Sequence, residues 1–263
     1  MRMHVAQTSF QRLITLTLLL WMSSVISAHA GDRVPLVGPG PPPPSHRPPV
    51  ASGGVGQIVS IAPELVPCLH MVTFSDIDGG PTPGTNYDDI LSAGGLFFCE
   101  RFAGQSVSSS SDFDVISGSP SNPLQLEAAA AGQNLDVFDY SGNVLAGLGP
   151  IGFPEIDAIG EGSIAIYFPM AQSKVKLSLV GGNGGSATLS FYRSDGSLID
   201  DVVVSDLGEL SYGFGTFDES FTIAGILIQT TDASGIGVSN ICYDEAPTSA
   251  RWATWGSLKR LFR

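Results

Sequence analysis

Histidine and positive charge are the two scarcest chemical resources in this chain. Of its four histidines only His70 lies in a stretch that can fold, because His4, His29 and His46 fall in the segments that precede the domain. A histidine metal cluster and a Ser/His/Asp hydrolase are therefore excluded. Twelve Lys and Arg stand against 25 Asp and Glu, a net charge of −13. That balance argues against a nucleic-acid partner, since phosphate contacts need a basic face. Only 14% of the 263 residues are charged, and no motif names a reaction. What the chain does have is glycine, 32 residues, and proline, 18, over a length suited to one large domain or two small ones.

The two ends differ from the middle. Residues 1–30 have the form of an export signal: Arg2 and Arg12, then the apolar run Leu13–Met22, then Ala28-His29-Ala30 ahead of Gly31. The apolar run is about half of the roughly 20 residues that cross a bilayer. Cleavage before Gly31 leaves ten bases against 25 acids. Residues 31–66 are rich in proline and glycine, including Pro41–Pro44 and Pro48-Pro49; proline cannot donate to a ladder, so a disordered, extended spacer is expected.

Residues 245–263 form a basic tail in which Trp252 and Trp255 recur at helical spacing among Arg251, Lys259, Arg260 and Arg263. A short helix of this kind is marginal alone in water. It is expected to act as an address for export or sorting machinery. Docking on the acidic domain and lying on a membrane surface are the alternatives.

Between 67 and 244 the apolar residues alternate. Lys174-Val175-Lys176-Leu177-Ser178-Leu179 and Ala187-Thr188-Leu189-Ser190-Phe191-Tyr192 each place every second side chain on one face, which is the period of a half-buried strand. Gly181–Gly185 and Ser194-Asp195-Gly196 separate strands, which predicts a three-strand meander over 174–204. Seven further strands are expected, at 72–75, 96–102, 112–116, 135–140, 163–168, 221–229 and 235–243, with one short helix at 125–131. Strands without βαβ alternation predict a single all-β sandwich.

The blocks Tyr87–Gln105 (YDDILSAGGLFFCERFAGQ), Gly147–Pro154 (GLGPIGFP), Ile159–Ile166, Phe191–Asp200 and Ile223–Tyr243 resemble a group of exported bacterial β-sandwich proteins that commonly carry a PEP-CTERM-type sorting tail. The resemblance covers the domain and implies an antiparallel jelly-roll β-sandwich like carbohydrate-binding or galactose-binding modules. No activity comes with it. The chain departs from the group at its end, where a basic ending similar to TWG-x-x-K-x-x-(Y/F)-R replaces the hydrophobic span.

Three cysteines, Cys68, Cys99 and Cys242, leave one over if an exported chain pairs two. Jelly-roll sandwiches often set first and last strands side by side, which points to Cys68–Cys242; Cys99–Cys242 and three free thiols are the alternatives. Asp76 and Asp78, with Asp232 and Asn240, are candidate ligands for a structural calcium, and plain turn formation is the competing account. The Gly181–Leu189 run is not a calcium-binding nonapeptide, because Ser186 stands where that motif needs Asp.

Catalytic residues are not assigned. The acidic pairs Asp88-Asp89, Asp200-Asp201 and Asp218-Glu219 would need to face one another across a cleft to hydrolyse a glycoside. Tyr167, Tyr192 and Tyr212 are candidates to stack on sugar rings. The expectation is an exported, extracellular or envelope-associated, non-enzymatic sandwich that binds carbohydrate or a matrix polymer. A glycan-active enzyme and a purely structural envelope or matrix protein are the alternatives.

Overall fold

A computed structural model describes residues 57–231 and 234–244. The signal, most of the spacer, the tail with Trp252, Trp255, Lys259, Arg260 and Arg263, and Asp232 lie outside the described residues. The strands in chain order are β1 (Ile58–Ile61), β2 (His70–Thr73), β3 (Thr85–Tyr87), β4 (Leu91–Ala93), β5 (Leu96–Cys99), β6 (Arg101–Phe102), β7 (Ser106–Ser110), β8 (Phe113–Ser117), β9 (Leu126–Glu127) and β10 (Leu135–Asp139). They continue as β11 (Asn143–Leu148), β12 (Ile159–Gly162), β13 (Ile164–Gln172), β14 (Lys174–Gly181), β15 (Ser186–Tyr192), β16 (Leu198–Ser205), β17 (Leu210–Thr216), β18 (Ile223–Thr230) and β19 (Ile236–Tyr243).

Two antiparallel sheets pack face to face. The first has the order β1-β17-β14-β19-β11-β10-β3, with β2 also paired to β19 and β12 to β11. The second has the order β16-β15-β18-β13-β5-β4. The alternation in β14 is the reason for its place: Val175, Leu177 and Leu179 are at most 1% exposed and face the second sheet, while Lys174, Lys176 and Ser178 face outward. Phe74, Phe98, Phe168, Phe191 and Phe214 fill the space between the sheets. Each contributes on the order of 2–3 kcal/mol of burial.

The strand β18, IAGILIQT, is apolar almost throughout because it is covered on both sides. Ile223, Ile226 and Ile228 face the main core; Ala224 and Leu227 face a second, smaller one. That second core is roofed by an arm, residues 101–127, which lays Phe102, Ile116 and Leu124 over Ala165, Tyr192 and Leu227. Gly225 admits the arm, since a side chain there would run into the Phe102 ring, 2.6 Å from the Cβ position.

Three expectations are corrected. The fold starts at β1, inside the stretch read as spacer: Ile58–Ile61 pair with β17, and Ile58 and Val66 are 4% and 5% exposed. Composition hides this strand because only four residues alternate, immediately after a glycine-rich run. Of the meander over 174–204 only the β15–β16 hairpin through Ser194-Asp195-Gly196 forms. Gly181–Gly185 carries the chain from one sheet to the other, so β14 pairs with β17 and β19 while β15 pairs with β16 and β18. Positive φ at Gly181, Gly182 and Gly184 makes that crossing. The stretch 125–131 contains β9 and loop instead of helix, drawn out by pairing of Arg101 and Phe102 with Glu127 and Leu126.

Candidate functional site

The bridge between Cys68 and Cys242 closes the domain on itself, with 174 residues of separation. It follows from the pairing of β2 with β19, which places Met71 opposite Cys242. Cys99 could not have taken its place. Ile241 and Tyr243 face the main core, so Cys242 points out of the first sheet; Leu96 and Phe98 face the same core, so Cys99 points out of the second. The two thiols look away from each other through the whole sandwich. Cys99 is fully buried beside Ala165, and burial pushes its thiol up to about 11.

A cleft of about 470 Å³ lies on the outer face of the first sheet, where β19 exchanges one neighbour, β2, for another, β11. A bulge in the β14–β19 ladder after Ser178 coincides with that exchange. Its walls mix apolar side chains, among them Val144, Val180 and Leu210, with hydroxyls and amides: Thr73 and Ser75 share a hydrogen bond of 2.9 Å, Ser178 and Ser211 one of 2.8 Å, and Asn240 donates to Ser239 at 3.3 Å. Glu209 is the one carboxylate among the described lining residues.

Tyr140 stands at the rim, 55% exposed. The neighbouring Glu209 carboxylate, which favours the protonated phenol and repels its anion, raises its pKa. A second, smaller hollow of about 250 Å³ shares Tyr140 and Val180 with the cleft and is lined by Phe138, Ile156, Ile159 and several glycines. Phe138 meets Tyr140 edge-on at 6.5 Å. The two adjoin at Tyr140 and Val180, with an exposed phenol ring at the seam.

Neither Tyr140 nor Glu209 stood out in the sequence. A signal exists for the first, an aromatic in the turn Asp139-Tyr140-Ser141-Gly142, where Asp139 accepts from the Gly142 amide and no core is available to a ring. Nothing local shows that a glutamate 69 positions later meets it.

The three tyrosines expected as stacking platforms are covered, Tyr192 almost wholly and Tyr167 and Tyr212 in part. Tyr192 is 6% exposed, its ring against Phe102 and its hydroxyl held by Gln105 at 3.3 Å. Tyr212 packs against the main core and Tyr167 against the second. A larger hollow of about 640 Å³ between the arm and the second sheet includes Tyr192, Gln105 and Gln229. Its amides are engaged in holding the arm down: Gln229 accepts from the Ile116 amide at 2.7 Å and Gln105 from the Phe102 amide at 3.0 Å.

The acidic pairs serve local structure. Asp88 accepts from the Gly132 amide and Asn86, Asp200 from the Ile58 amide, Asp218 from Ser220; Glu219 pairs with Lys174 at 3.1 Å. None lines the cleft. Of the proposed calcium ligands, Asp76 and Asp78 are exposed on the loop after β2, whereas Asn240 sits in the cleft opposite Thr73. Among the described residues no three His, Cys, Asp or Glu side chains converge as a metal site.

Two other carboxyls are perturbed by burial. Asp114 is pushed up to about 7 by desolvation and then by Glu100, against the pull of Arg101. Asp136 reaches about 7 by desolvation, opposed by the nearby Val137 amide. Glu100 is also raised by burial although Arg101 is its ion-pair partner; Arg101 bridges on to Glu127 at 2.7 Å.

No protein-family model matches the chain, and no curated protein is similar to it.

Proposed function

We propose that this chain is an exported, non-enzymatic β-sandwich of the jelly-roll, carbohydrate-binding kind, and that it takes a glycan or matrix polymer on the outer face of its first sheet. The observation that carries this reading is Tyr140. An exposed ring beside a cleft of hydroxyls and amides offers both halves of sugar recognition: an apolar face to stack on C–H groups and hydrogen-bonding groups to fix orientation. Glu209 and Asn240, both in the lining, supply an acceptor and a donor. Export is supported by the residues 1–30 pattern and by a disulfide, which persists in oxidising compartments. Sorting by the tail, and kinship with exported sandwich proteins that carry sorting tails, belong to the same reading.

A glycan-active enzyme finds no favouring observation, because hydrolysis needs two carboxyls flanking the bond and the cleft offers Glu209 alone among its described residues. The test is a glycan-array screen of the full secreted chain, followed by affinity measurement. Tyr140→Ala is expected to weaken the best ligand about tenfold, the scale of one aromatic contact, while Tyr192→Phe leaves it unchanged. Equal binding by wild type and Tyr140→Ala would remove the proposed surface.

A further inference from the structure

Asp136 is fully buried, and no donor reaches either of its carboxylate oxygens at hydrogen-bond geometry. It lies on the outer face of β10, between Leu135 and Val137, which face the core. Directly opposite in the β3–β10 register is Asn86, so its side chain leaves the same face roughly 5 Å away. Asn86 spends its Nδ2 on Asp88 at 2.9 Å, which leaves its Oδ1 buried and without a donor. Three buried acceptor oxygens on paired positions of one face thus lack a donor at hydrogen-bond geometry.

The loop from Asp78 to Gly84 closes over them. Gly80 bridges Phe138 and accepts from the Asp139 amide at 2.9 Å; the Asp78 carbonyl accepts from the Tyr87 hydroxyl at 2.7 Å; the Gly84 amide donates to Pro81 at 2.9 Å. Gly84, at φ +93°, lies so close that any side chain there would run into both carboxylate oxygens. A loop pinned at two points and closed by its own turn over an unpartnered carboxylate is a poor arrangement for a charge in low dielectric, unless something of opposite sign joins it.

We propose that Asp136 and Asn86 are the protein's share of a buried calcium site, with main-chain carbonyls of the Asp78–Gly84 loop and water completing the shell. Oxygen-only donors, one carboxylate presenting both atoms and an amide carbonyl are ligands that suit calcium. A single proton between Asp136 and Asn86 would satisfy two of the three oxygens and strand the third; a cation takes all three. The acidic surroundings favour it, with four bases against 22 acids between 67 and 244. The site is distinct from the set Asp76, Asp78, Asp232 and Asn240, and it does not depend on glycan binding. Bound calcium ties β3 to β10 and so steadies Phe138, two residues along the same strand face.

The test is calorimetric titration of calcium into chelator-treated full chain, with melting followed in parallel. One ion should bind per chain, and at hundredfold excess over Kd the melting temperature should rise by about 5–10 °C for a domain of this size. Asp136→Asn should abolish both effects, while the double variant Asp76→Asn, Asp78→Asn keeps them. Should Asp136→Asn fail to fold, Asn86→Ala must weaken calcium at least tenfold. The proposal is overturned if wild type shows no calcium response, if Asp136→Asn retains it, or if the double variant alone loses it. It is also overturned if melting ignores calcium but falls as pH rises from 5 to 8 in wild type and not in Asp136→Asn, which would assign the oxygens to a shared proton.

Discussion

Removing the Cys68–Cys242 bridge should be the most costly single perturbation of this fold that leaves its core untouched. In the chain-entropy account, a cross-link closing a loop of the 174-residue separation restrains the unfolded chain by about 5 kcal/mol. Part of that is redundant. The ladder of β2 on β19 covers four residue pairs, Val72 and Phe74 are buried, and Asn143 holds the chain just beyond by donating to the carbonyls of Phe74 and Ile77 at 3.0 and 2.7 Å. A loss of about 3–5 kcal/mol is expected, which in a domain of this length lowers the melting temperature by about 10 °C or more. The double variant Cys68→Ala, Cys242→Ala is the cleaner perturbation, since Cys242 is 2% exposed and a serine there would bury a hydroxyl. Scanning calorimetry reads the shift. Alkylation with mass spectrometry reads the chemistry: unreduced native protein should take no label, because Cys99 is buried and its thiol raised to about 11. Unreduced denatured protein should take one, at Cys99, and reduced denatured protein three. Three labels without reductant, or a melting temperature within about 2 °C of wild type, would refute the reasoning.

A chain trimmed to begin at residue 67 should melt well below one that begins at 57. It loses the β1 ladder on β17 and the burial of Ile58 and Val66, on the order of 2 kcal/mol for each side chain; equal melting of the two fragments would return Ile58–Ile61 to the spacer. Stability should also depend on Asp114. Its folded pKa, about 7, lies above its ordinary value of 3.8, so the folded state holds the proton more tightly. That contribution is fully present below about pH 3.8 and is lost as pH rises through about 7. Asp114→Asn should therefore raise the melting temperature by a few degrees at pH 8 and by little at pH 4, measured in chelator; a larger gain at pH 4 than at pH 8 would contradict the assignment.

All-β architecture was legible in the sequence because period two is a local property. Val175, Leu177 and Leu179 announce which face of β14 is buried without any knowledge of the partner, and so do Ala187, Leu189 and Phe191 in β15. The odd cysteine was likewise a local matter, one of count. Pairing was not. Gly181–Gly185 has the residues of a hairpin turn, yet whether a glycine-rich turn reverses within one sheet or crosses to the next depends on what each strand finds to hydrogen-bond with. For β14 those partners are β17 and β19, some 30 to 60 residues downstream.

The same distance in sequence hides the cleft. Tyr140 and Glu209 come together only because β10, β11, β14, β17 and β19 share one sheet. The tyrosines that alternation placed on an outer face are covered, Tyr192 and Tyr167 by the 101–127 arm, because period two separates the two faces of a strand but says nothing of which outer face receives a second layer. Tertiary structure alone made Asp136 exceptional. In the sequence it is one acid among 25; folding sets it opposite Asn86 and under Gly84, buried and with no donor at hydrogen-bond geometry.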